Sequence, residues 1–305
     1  MISLLLKRFL HGLIVLWVVA TLTFLLLRLA PGGPFDSDRR LPPEVIANLE
    51  AKYHLDEPLW RQYLRYLSGI AQGDLGPSYK YLDRGVTQII ADTLPTSALL
   101  GGLAVLFALS VSFPTGLLAA YYRNSIIDRL CMFVSTLGIS LPNFILGALL
   151  IWGVALKLGW LSAARWDQWS STILPMITLG AAPAAYLAAL LRSTLIDTFG
   201  EDFVRTARAK GLKESTVVVK HALFHSLIPV LTVMGPLAAA LLTGSFVVEF
   251  VFAIPGMGRF FITAVTDRDY PLIIGVTLVY TAILVSANFI VDVLYGYVDP
   301  RIRTH

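Results

Sequence analysis

Hydrophobic residues along this chain are grouped in six long blocks, and polar stretches separate the blocks. An α-helix needs about 20 apolar residues to cross the roughly 30 Å hydrocarbon core of a lipid bilayer. The blocks cover residues 9–30, 96–121, 130–156, 173–191, 227–252 and 271–294. The pattern therefore predicts an all-α polytopic membrane protein with about six transmembrane helices.

The polar segment 31–95, which follows the first block, carries seven basic and nine acidic residues. Within it, residues 42–55 and 58–70 place apolar side chains at helical spacing, which predicts a helical hairpin outside the hydrocarbon. Asp56 is the expected N-cap of the second of these helices. The chain thus divides into a first transmembrane helix (1–30), a helical segment (31–95) and a membrane core (96–305).

The composition agrees with this division and excludes an ordinary soluble enzyme. Hydrophobic residues make up 56% of the chain, charged residues 14%, and the mean hydropathy is +0.71, whereas soluble domains have roughly 45–50% and 25%. The net charge of +4 is spread over the loops, so it does not indicate a nucleic-acid partner. The single cysteine, Cys131, lies in an apolar block, where packing is its expected role.

Basic residues predict how the chain is oriented. Twelve of the 24 lysines and arginines fall on the side of the N-terminus, and eight of the other twelve lie in or beside segment 31–95. The positive-inside rule loses force in such long loops. Without those eight, the side of the N-terminus has twelve basic residues and the other side has four. This difference predicts cytoplasmic termini and places 31–95 on the opposite side.

The sequence motifs that would indicate covalent chemistry are absent or incomplete in this chain. No segment matches the phosphate-binding loop G-x-x-x-x-G-K-[ST], so any ATP has to be hydrolysed on another protein. His221 and His225 have the spacing of a zinc pair, but Ala222 stands where H-E-x-x-H has its glutamate. We therefore predict no catalytic residue, no cofactor and no metal on this chain. An ion-coupled carrier and an intramembrane enzyme remain rivals, and both need charged residues within the membrane.

The stretch 193–226 between the fourth and fifth blocks is basic, helix-prone and interrupted at Gly211. Phe203, Ala207 and Lys210 share one face of a first short helix, and Gly211 permits the turn into a second. The apolar stripe of that second helix is Leu212, Thr216, Val219, Leu223 and Leu227. Two interpretations remain open: an amphipathic hairpin that lies on lipid, or a knob that fits a groove on a soluble partner.

This stretch resembles the inner-membrane permease subunits of ABC importers, in particular the B-type subunits of the oligopeptide and dipeptide permease family. The cytoplasmic motif of that family reads Glu-Ala-Ala, three residues, Gly, nine residues, Ile-x-Leu-Pro, and its helices dock on ATPase subunits. Here Arg205-Thr206-Ala207 stands for Glu-Ala-Ala, Gly211 matches, and His-Ala-Leu-Phe at 221–224 stands for the last part. The sequence of 205–212, Arg-Thr-Ala-Arg-Ala-Lys-Gly-Leu, is similar to that of the peptide branch of the family.

The resemblance extends over nearly the whole chain. Further segments that are similar to this family lie at 29–32, 73–78, 249–258, 268–271 and 299–301. The segment 31–95, with Leu-Pro-Pro-Glu at 41–44 and Lys-Tyr-His-Leu at 52–55, is most similar to the oligopeptide-type subunit.

The resemblance implies the fold of ABC importer permeases, a place in the bacterial inner membrane among its lipids, and a periplasmic position for 31–95. It implies an oligopeptide importer with a homologous second permease subunit, two cytoplasmic ATPase subunits that bind ATP and Mg²⁺, and a periplasmic peptide-binding protein. Nickel chelates, glutathione and antimicrobial peptides remain alternative cargoes. The residues implied to couple this chain to the ATPases are Phe203, Arg205, Thr206, Ala207, Arg208, Lys210, Gly211, Leu212 and Leu223.

The segment 249–258 has two interpretations. Pro255 is expected to stop the fifth helix, and Gly256 and Gly258 to allow a sharp turn. Residues 260–265 would then re-enter the membrane from the outer face and line a gate near Glu249. A plain loop with a proline stop explains the same residues.

Two short motifs are expected at the ends of the sixth transmembrane helix. Asp269 has the place of an N-cap, and Tyr270 has the place of an aromatic residue at the membrane interface. Asp299-Pro300-Arg301 is expected to end the helix and to orient the tail.

Overall fold

The computed structural model describes residues 2–35, 42–81, 83–164, 166–242 and 244–298, and helices make up most of these ranges. In chain order they are α1 (Ile2–Leu29), α2 (Pro43–Lys52), α3 (Leu59–Ala71), α4 (Val86–Tyr121), α5 (Ile126–Ser140), α6 (Asn143–Leu150), α7 (Ser170–Phe199), α8 (Asp202–Ala209), α9 (Glu214–Thr216), α10 (Leu223–Leu242), α11 (Phe246–Val251), α12 (Met257–Asp267) and α13 (Tyr270–Val298). Two π-helical segments, Ile151–Lys157 and Val217–Ala222, continue α6 and α9. Within the described ranges, β-type pairing is limited to one isolated bridge between Pro77 and Gly85, so the predicted all-α class is confirmed.

Five helical segments of the described ranges are long and apolar enough to cross a membrane, and a bent pair of helices makes a sixth candidate. The five are Leu6–Leu29, Val86–Tyr121, Ser170–Phe199, Glu214–Val251 and Tyr270–Ile290, and the bent pair is Ile126–Ser140 with Asn143–Lys157. These six candidates match the six apolar blocks of the sequence. Several helices are longer than the apolar blocks that predicted them, because a helix can continue beyond the hydrocarbon core of the membrane.

The third candidate span is broken, with a bend of 107° between α5 and α6. Leu141 precedes Pro142, and the residue before a proline is disfavoured in a helical conformation. Leu141 has an extended backbone (φ −82°, ψ 119°) and ends α5, while Pro142 is the N-cap of α6. The uninterrupted apolar run at 130–156 did not indicate this break.

The described helices form two compact units, Met1–Ser97 with Pro255–Ser286, and Ala98–Ile254 with Ala287–His305. In the first unit, α1 packs against α13 through a cluster that α3 also covers. The buried members of this cluster are Ala20, Phe24, Ile274 and Leu278, and Tyr63, Tyr66 and Ile70 of α3 pack against them. A hydrogen bond of 2.6 Å between the hydroxyls of Thr21 and Tyr63 adds a polar link between α1 and α3.

The helical hairpin predicted within segment 31–95 is present as α2 and α3. Asp56 is not the N-cap of α3, contrary to expectation. Pro58 occupies that position, and no side chain caps the helix. Because proline has a fixed φ and no N–H to satisfy, it suits a helix start without a capping side chain.

Asp269, the expected cap of α13, is fully buried in the first unit. Its carboxylate accepts a hydrogen bond from the backbone N–H of Leu272 at 3.4 Å, which confirms the cap. It also accepts hydrogen bonds from the N–H of Tyr79 at 3.1 Å and from the hydroxyl of Ser78. These bonds tie the end of the polar segment to the start of α13. The helix end expected at Asp299-Pro300-Arg301 lies outside the described residues.

In the second unit, α7 contacts α5, α6 and α10. Gly138 of α5 lies against Ala181 and Ala185, and Gly147 of α6 lies against Thr178. Small residues at these crossings let membrane helices approach closely and gain packing energy, because lipid offers no hydrophobic driving force between helices.

An ion pair that the sequence did not indicate joins the start of α5 to α7. Arg192 donates from Nε to Asp128 Oδ1 at 2.6 Å and from Nη2 to Oδ2 at 2.7 Å. The Asp128 side chain is 5% exposed and that of Arg192 is 25% exposed. Arg192 lies within α7, which continues to Phe199, so the first residues of the stretch 193–226 belong to this helix.

Candidate functional site

The predicted coupling stretch folds as a helical hairpin within the second unit. Its first arm is α8, and its second arm begins at α9. Between them, Gly211 has φ +76°, a left-handed conformation that glycine adopts without the steric penalty of a side chain. Its N–H donates to the carbonyl of Arg208 at 2.9 Å. The turn predicted at Gly211 is therefore present, and we call residues 202–223 the coupling hairpin.

One face of α8 packs into the core of the second unit. Val204 and Ala207 are buried and belong to a cluster with Leu195, Val217 and Ala222, whereas Phe203 is 38% exposed. Of the residues predicted to share one face, Ala207 is therefore buried and Phe203 is exposed. Lys210 lies at the C-cap, beyond the end of the helix, so it does not continue a helical face.

The second arm is not a separate short helix at the membrane surface, contrary to expectation. It runs from α9 through the π-helical segment Val217–Ala222 into α10, so the hairpin is continuous with the fifth candidate span. In a π-helix, hydrogen bonds join residues five apart and each turn holds more residues. The buried positions of this segment are Val217, Val218 and Ala222, while Val219, which the sequence listed on the apolar stripe, is 55% exposed.

The remaining predicted coupling residues divide into an exposed set and a packed set. Phe203, Arg205, Thr206, Lys210 and Leu212 lie on the surface of the hairpin, and Ala207 and Leu223 pack inward. The ring of Phe203 lies 4.7 Å from that of His225. The histidine that sequence spacing had placed in a possible metal pair thus supports an exposed aromatic side chain.

Arg208 bridges the two arms of the hairpin. Its Nη2 and Nε donate to the two carboxylate oxygens of Glu214 at 2.8 and 3.2 Å, and the guanidinium lies over the ring of Phe199 at 5.7 Å. The hydrogen bonds to Glu214 raise the pKa of Arg208. A two-point bond of this kind fixes an angle as well as a distance, so it stiffens the turn around Gly211.

Hydroxyl groups tie the base of the hairpin to the end of α7. Ser226 Oγ donates to Thr198 Oγ1 at 2.9 Å, and Thr194 Oγ1 donates to the carbonyl of Ser226 at 3.2 Å. The hairpin is therefore joined to α7 and α10 by packed and hydrogen-bonded contacts.

Glu249, one of the predicted gate residues, is fully buried in α11 of the second unit. Ser245 caps this short helix by accepting the N–H of Val248 at 3.3 Å. The helix ends at Val251, before Pro255, so Pro255 is not the residue that stops it. The reversal after the helix uses Ala253, whose φ is +52°.

The other predicted gate residues, Pro255, Gly256 and Gly258, lie in the first unit. The sharp turn falls at Phe252 and Ala253 rather than at the two glycines, because Gly258 already lies within α12. Gly256 is the N-cap of α12 instead, and the N–H of Met257 donates to Ser97 Oγ at 2.8 Å. Residues 260–265 form the middle of α12.

Comparisons with known proteins cover nearly the whole chain. Residues 112–304 match the family model for the inner membrane component of binding-protein-dependent transport systems. Residues 1–101 match the model for the N-terminal part of such membrane components. The coupling hairpin lies within the first match.

Curated relatives match from end to end. The chain is 43% identical to the oligopeptide transport system permease protein OppB of Haemophilus influenzae, over 99% of this chain and 100% of the relative. It is 44% identical to the dipeptide transport system permease protein DppB of Bacillus subtilis, over 98% and 97%.

Solved structures share the fold at low sequence identity. An inward-facing structure of the MetNI methionine ABC transporter matches with a TM-score of 0.55 at 18% identity, over 69% of this chain and 96% of that chain. The crystal structure of an amino acid ABC transporter with histidines matches with a TM-score of 0.53 at 17% identity, over 69% and 94%.

Proposed function

This chain belongs to the family of inner membrane components of binding-protein-dependent transport systems, in its oligopeptide and dipeptide permease branch, and we propose that it forms half of the translocation pathway of an ATP-driven oligopeptide importer. A homologous permease subunit forms the other half. Two cytoplasmic subunits bind ATP and Mg²⁺ and hydrolyse the nucleotide, and a periplasmic binding protein delivers the peptide. This chain itself performs no covalent chemistry.

The coupling hairpin is the observation that carries this proposal. It presents Phe203, Arg205 and Leu212 to the outside, while Val204 and Ala207 hold it against the core of the second unit. An exposed aromatic and basic surface on a stiff base suits docking into a groove of a soluble partner. Of the two interpretations left open by the sequence, the proposal therefore adopts the partner-binding one.

The mechanism follows from this rigid connection. When the ATPase subunits change their separation, α8 moves with them, and the Thr194, Thr198 and Ser226 hydrogen bonds pass the movement to α7 and α10. A ligand shifts a two-state equilibrium only by its differential affinity for the two states. Nucleotide bound on the partners thus supplies the free energy, and this chain changes between inward-open and outward-open states.

A photo-crosslinking amino acid placed at Phe203 tests the proposal in the assembled importer. We expect a crosslink from this position to an ATPase subunit, because Phe203 is exposed on the hairpin. The matched control is Trp60 of α3, an exposed aromatic residue on the segment assigned to the periplasm, and it should give no ATPase crosslink.

Two results would contradict this proposal. One is an ATPase crosslink from Trp60 in place of Phe203. The other is uphill uptake by the isolated chain in proteoliposomes under an ion gradient alone, which would support the ion-coupled carrier. Peptides, nickel chelates and glutathione offered to the co-purified complex distinguish the alternative cargoes.

A further inference from the structure

A cavity of about 430 Å³ in the first unit lies beside the last turns of α1, the α2–α3 hairpin and the start of α13. Its lining includes Phe24, Arg28, Lys52, Gln62, Tyr66 and Tyr270, and we call it the Arg28 cavity. The apolar segment Leu6–Leu29 has 24 residues, which as helix span roughly 36 Å against about 30 Å of hydrocarbon. Arg28, at the end of this segment, therefore lies at the boundary between membrane and water.

Arg28 is positioned to bind an anion. Its guanidinium lies 5.3 Å from the ring centre of Phe24 and 6.0 Å from that of Tyr270, and it interacts with the hydroxyl of Tyr79. In the part of the chain that the structure describes, Arg28 is in no ion pair. A guanidinium that stacks on aromatic rings still has N–H groups free at its edge. Those groups can donate two parallel hydrogen bonds to the oxygens of a phosphate.

The other charges around the cavity favour an anion as well. Lys52 lies over the ring of Tyr53 at 5.6 Å. Arg65 and His54, which also line the cavity, contact Glu57 at 2.7 and 3.5 Å. Asp74 is the acidic residue in the lining, and its Oδ1 accepts the N–H of Gly76 at 2.9 Å. With Arg65 paired to Glu57, Arg28 and Lys52 face the single carboxylate of Asp74, which leaves a net positive charge at the cavity.

Two buried polar atoms in the lining lack a hydrogen bond within the described residues, the hydroxyl of Tyr66 and Oε1 of Gln62. Gln62 is 8% exposed, and its Nε2 donates to the carbonyls of Leu55 and Glu57. Burial raises the pKa of the Tyr66 phenol, so this group remains an O–H donor at neutral pH. Buried polar groups are normally satisfied, so a ligand oxygen that accepts from the Tyr66 hydroxyl would complete this group, whereas Gln62 Oε1 can only accept and needs a donor such as a ligand hydroxyl.

We propose that the Arg28 cavity binds the phosphate headgroup of an anionic phospholipid, with Arg28 and Tyr66 as donors to the phosphate oxygens. The acyl chains would lie along the apolar face of α1 next to the cavity, where Leu25, Leu26 and Leu29 are 46%, 66% and 79% exposed. A headgroup at the membrane boundary presents phosphate at the depth of Arg28. This inference rests on the first unit and is independent of the transport proposal.

The purified full-length chain in detergent tests this site by native mass spectrometry with dioctanoyl phosphatidylglycerol as the probe. We expect Arg28→Gln to weaken binding about tenfold, since a charge-assisted hydrogen bond is lost. Arg61→Gln is the matched control, because Arg61 lies over the Trp60 ring at 5.1 Å in the same way but outside the cavity. Its affinity should equal that of the unmodified chain.

Tyr66→Phe separates binding from folding. Because the Tyr66 hydroxyl has no hydrogen bond within the described residues, its removal should leave thermal stability unchanged and still weaken phosphatidylglycerol binding. Equal lipid affinity in the unmodified chain, Arg28→Gln and Tyr66→Phe would overturn the proposal. Saturation of the site by inorganic phosphate alone, or Arg28-dependent binding of a short peptide in preference to the lipid, would also overturn it.

Discussion

The pair of Asp128 and Arg192 is the residue-scale feature on which the second unit most clearly depends. A carboxylate and a guanidinium placed among apolar helices lose hydration, and their attraction offsets this loss only when their hydrogen bonds are complete. Here both carboxylate oxygens are bonded, and Asp128 Oδ2 also accepts the N–H of Asn124 at 2.8 Å. The pair therefore fixes where the start of α5 meets α7.

We predict that Asp128→Ala lowers the free energy of unfolding by about 3 kcal/mol, because it leaves a largely buried guanidinium without its partner. The estimate lies at the low end because Arg192 stays 25% exposed. Equilibrium unfolding of the purified chain in detergent measures it. Arg84→Ala, which breaks the exposed pair with Asp92, is the control and should cost less than about 1 kcal/mol.

A double-mutant cycle separates the ion pair from simple loss of packing. Asp128→Ala with Arg192→Ala should destabilise the chain by clearly less than the sum of the two single changes, because no charge is left unpaired in the double variant. Additive effects would mean that the two side chains act independently.

Single residues of the hairpin illustrate what sequence spacing can and cannot give. Gly211 was identified correctly, because a glycine between two helical patterns has few other roles. The sequence placed Phe203 and Ala207 on one face of α8, whereas the structure buries Val204 and Ala207 and leaves Phe203 38% exposed. The burial of Val204 and Ala207 depends on the approach of α7 and the 217–222 segment, and this approach is not encoded in the local pattern.

At the scale of elements, the π-helical segment and the turn at Gly211 set the geometry of the coupling hairpin. The sequence predicted both arms and the turn, but it missed the continuity of the second arm with α10. A 3.6-residue period assumed through 216–227 hides a π-helical turn, because apolar residues stand at consecutive positions there, at 217–219 and 222–224. The same applies to Ile151–Lys157, which continues α6.

Gly211→Pro is predicted to uncouple ATP hydrolysis from peptide uptake while the protein stays in the membrane. Proline cannot adopt φ +76° and cannot donate the N–H that Gly211 gives to the Arg208 carbonyl, which together distort the turn at a cost of about 3 kcal/mol or more. Uptake and ATPase activity of the reconstituted complex, measured side by side, provide the readout.

Gly211→Ala is the matched control for the proline variant. No atom lies within 4 Å of the added methyl group, so the change costs only the strain of a left-handed backbone, roughly 1–2 kcal/mol. The backbone N–H is kept, and coupling should persist. Normally coupled transport in the proline variant would show that the turn does not transmit force.

At the scale of the whole molecule, the number of membrane crossings decides on which side the coupling hairpin lies. The sequence predicted six crossings from six apolar blocks, and the break at Leu141 raises the alternative of five, with α5 and α6 re-entering from one side. With six crossings, the hairpin lies on the side of the N-terminus. With five, it lies on the side of α2 and α3.

Contacts within the second unit favour six crossings. Going along α5 and α6, Asp128 meets Arg192, Gly138 meets Ala185 and Gly147 meets Thr178. The residue numbers of these partners on α7 decrease as those on α5 and α6 increase. The bent pair as a whole therefore runs antiparallel to one continuous helix. Residues 178–192 of α7 span about 21 Å along the helix axis, which is most of the hydrocarbon thickness. In a re-entrant pair, α5 and α6 would instead both contact the same part of α7.

We therefore predict that cysteines on α3 and on the coupling hairpin lie on opposite sides of the membrane. Ser68 and Lys213 are both exposed, and each is changed to cysteine in a chain that carries Cys131→Ser. Ser68→Cys should react with an impermeant thiol reagent in intact cells. Lys213→Cys should react only after lysis, because six crossings place the hairpin on the side of the N-terminus, which the basic residues predict to be cytoplasmic. Labelling of both cysteines before lysis would mean five crossings and would remove the hairpin from any cytoplasmic partner.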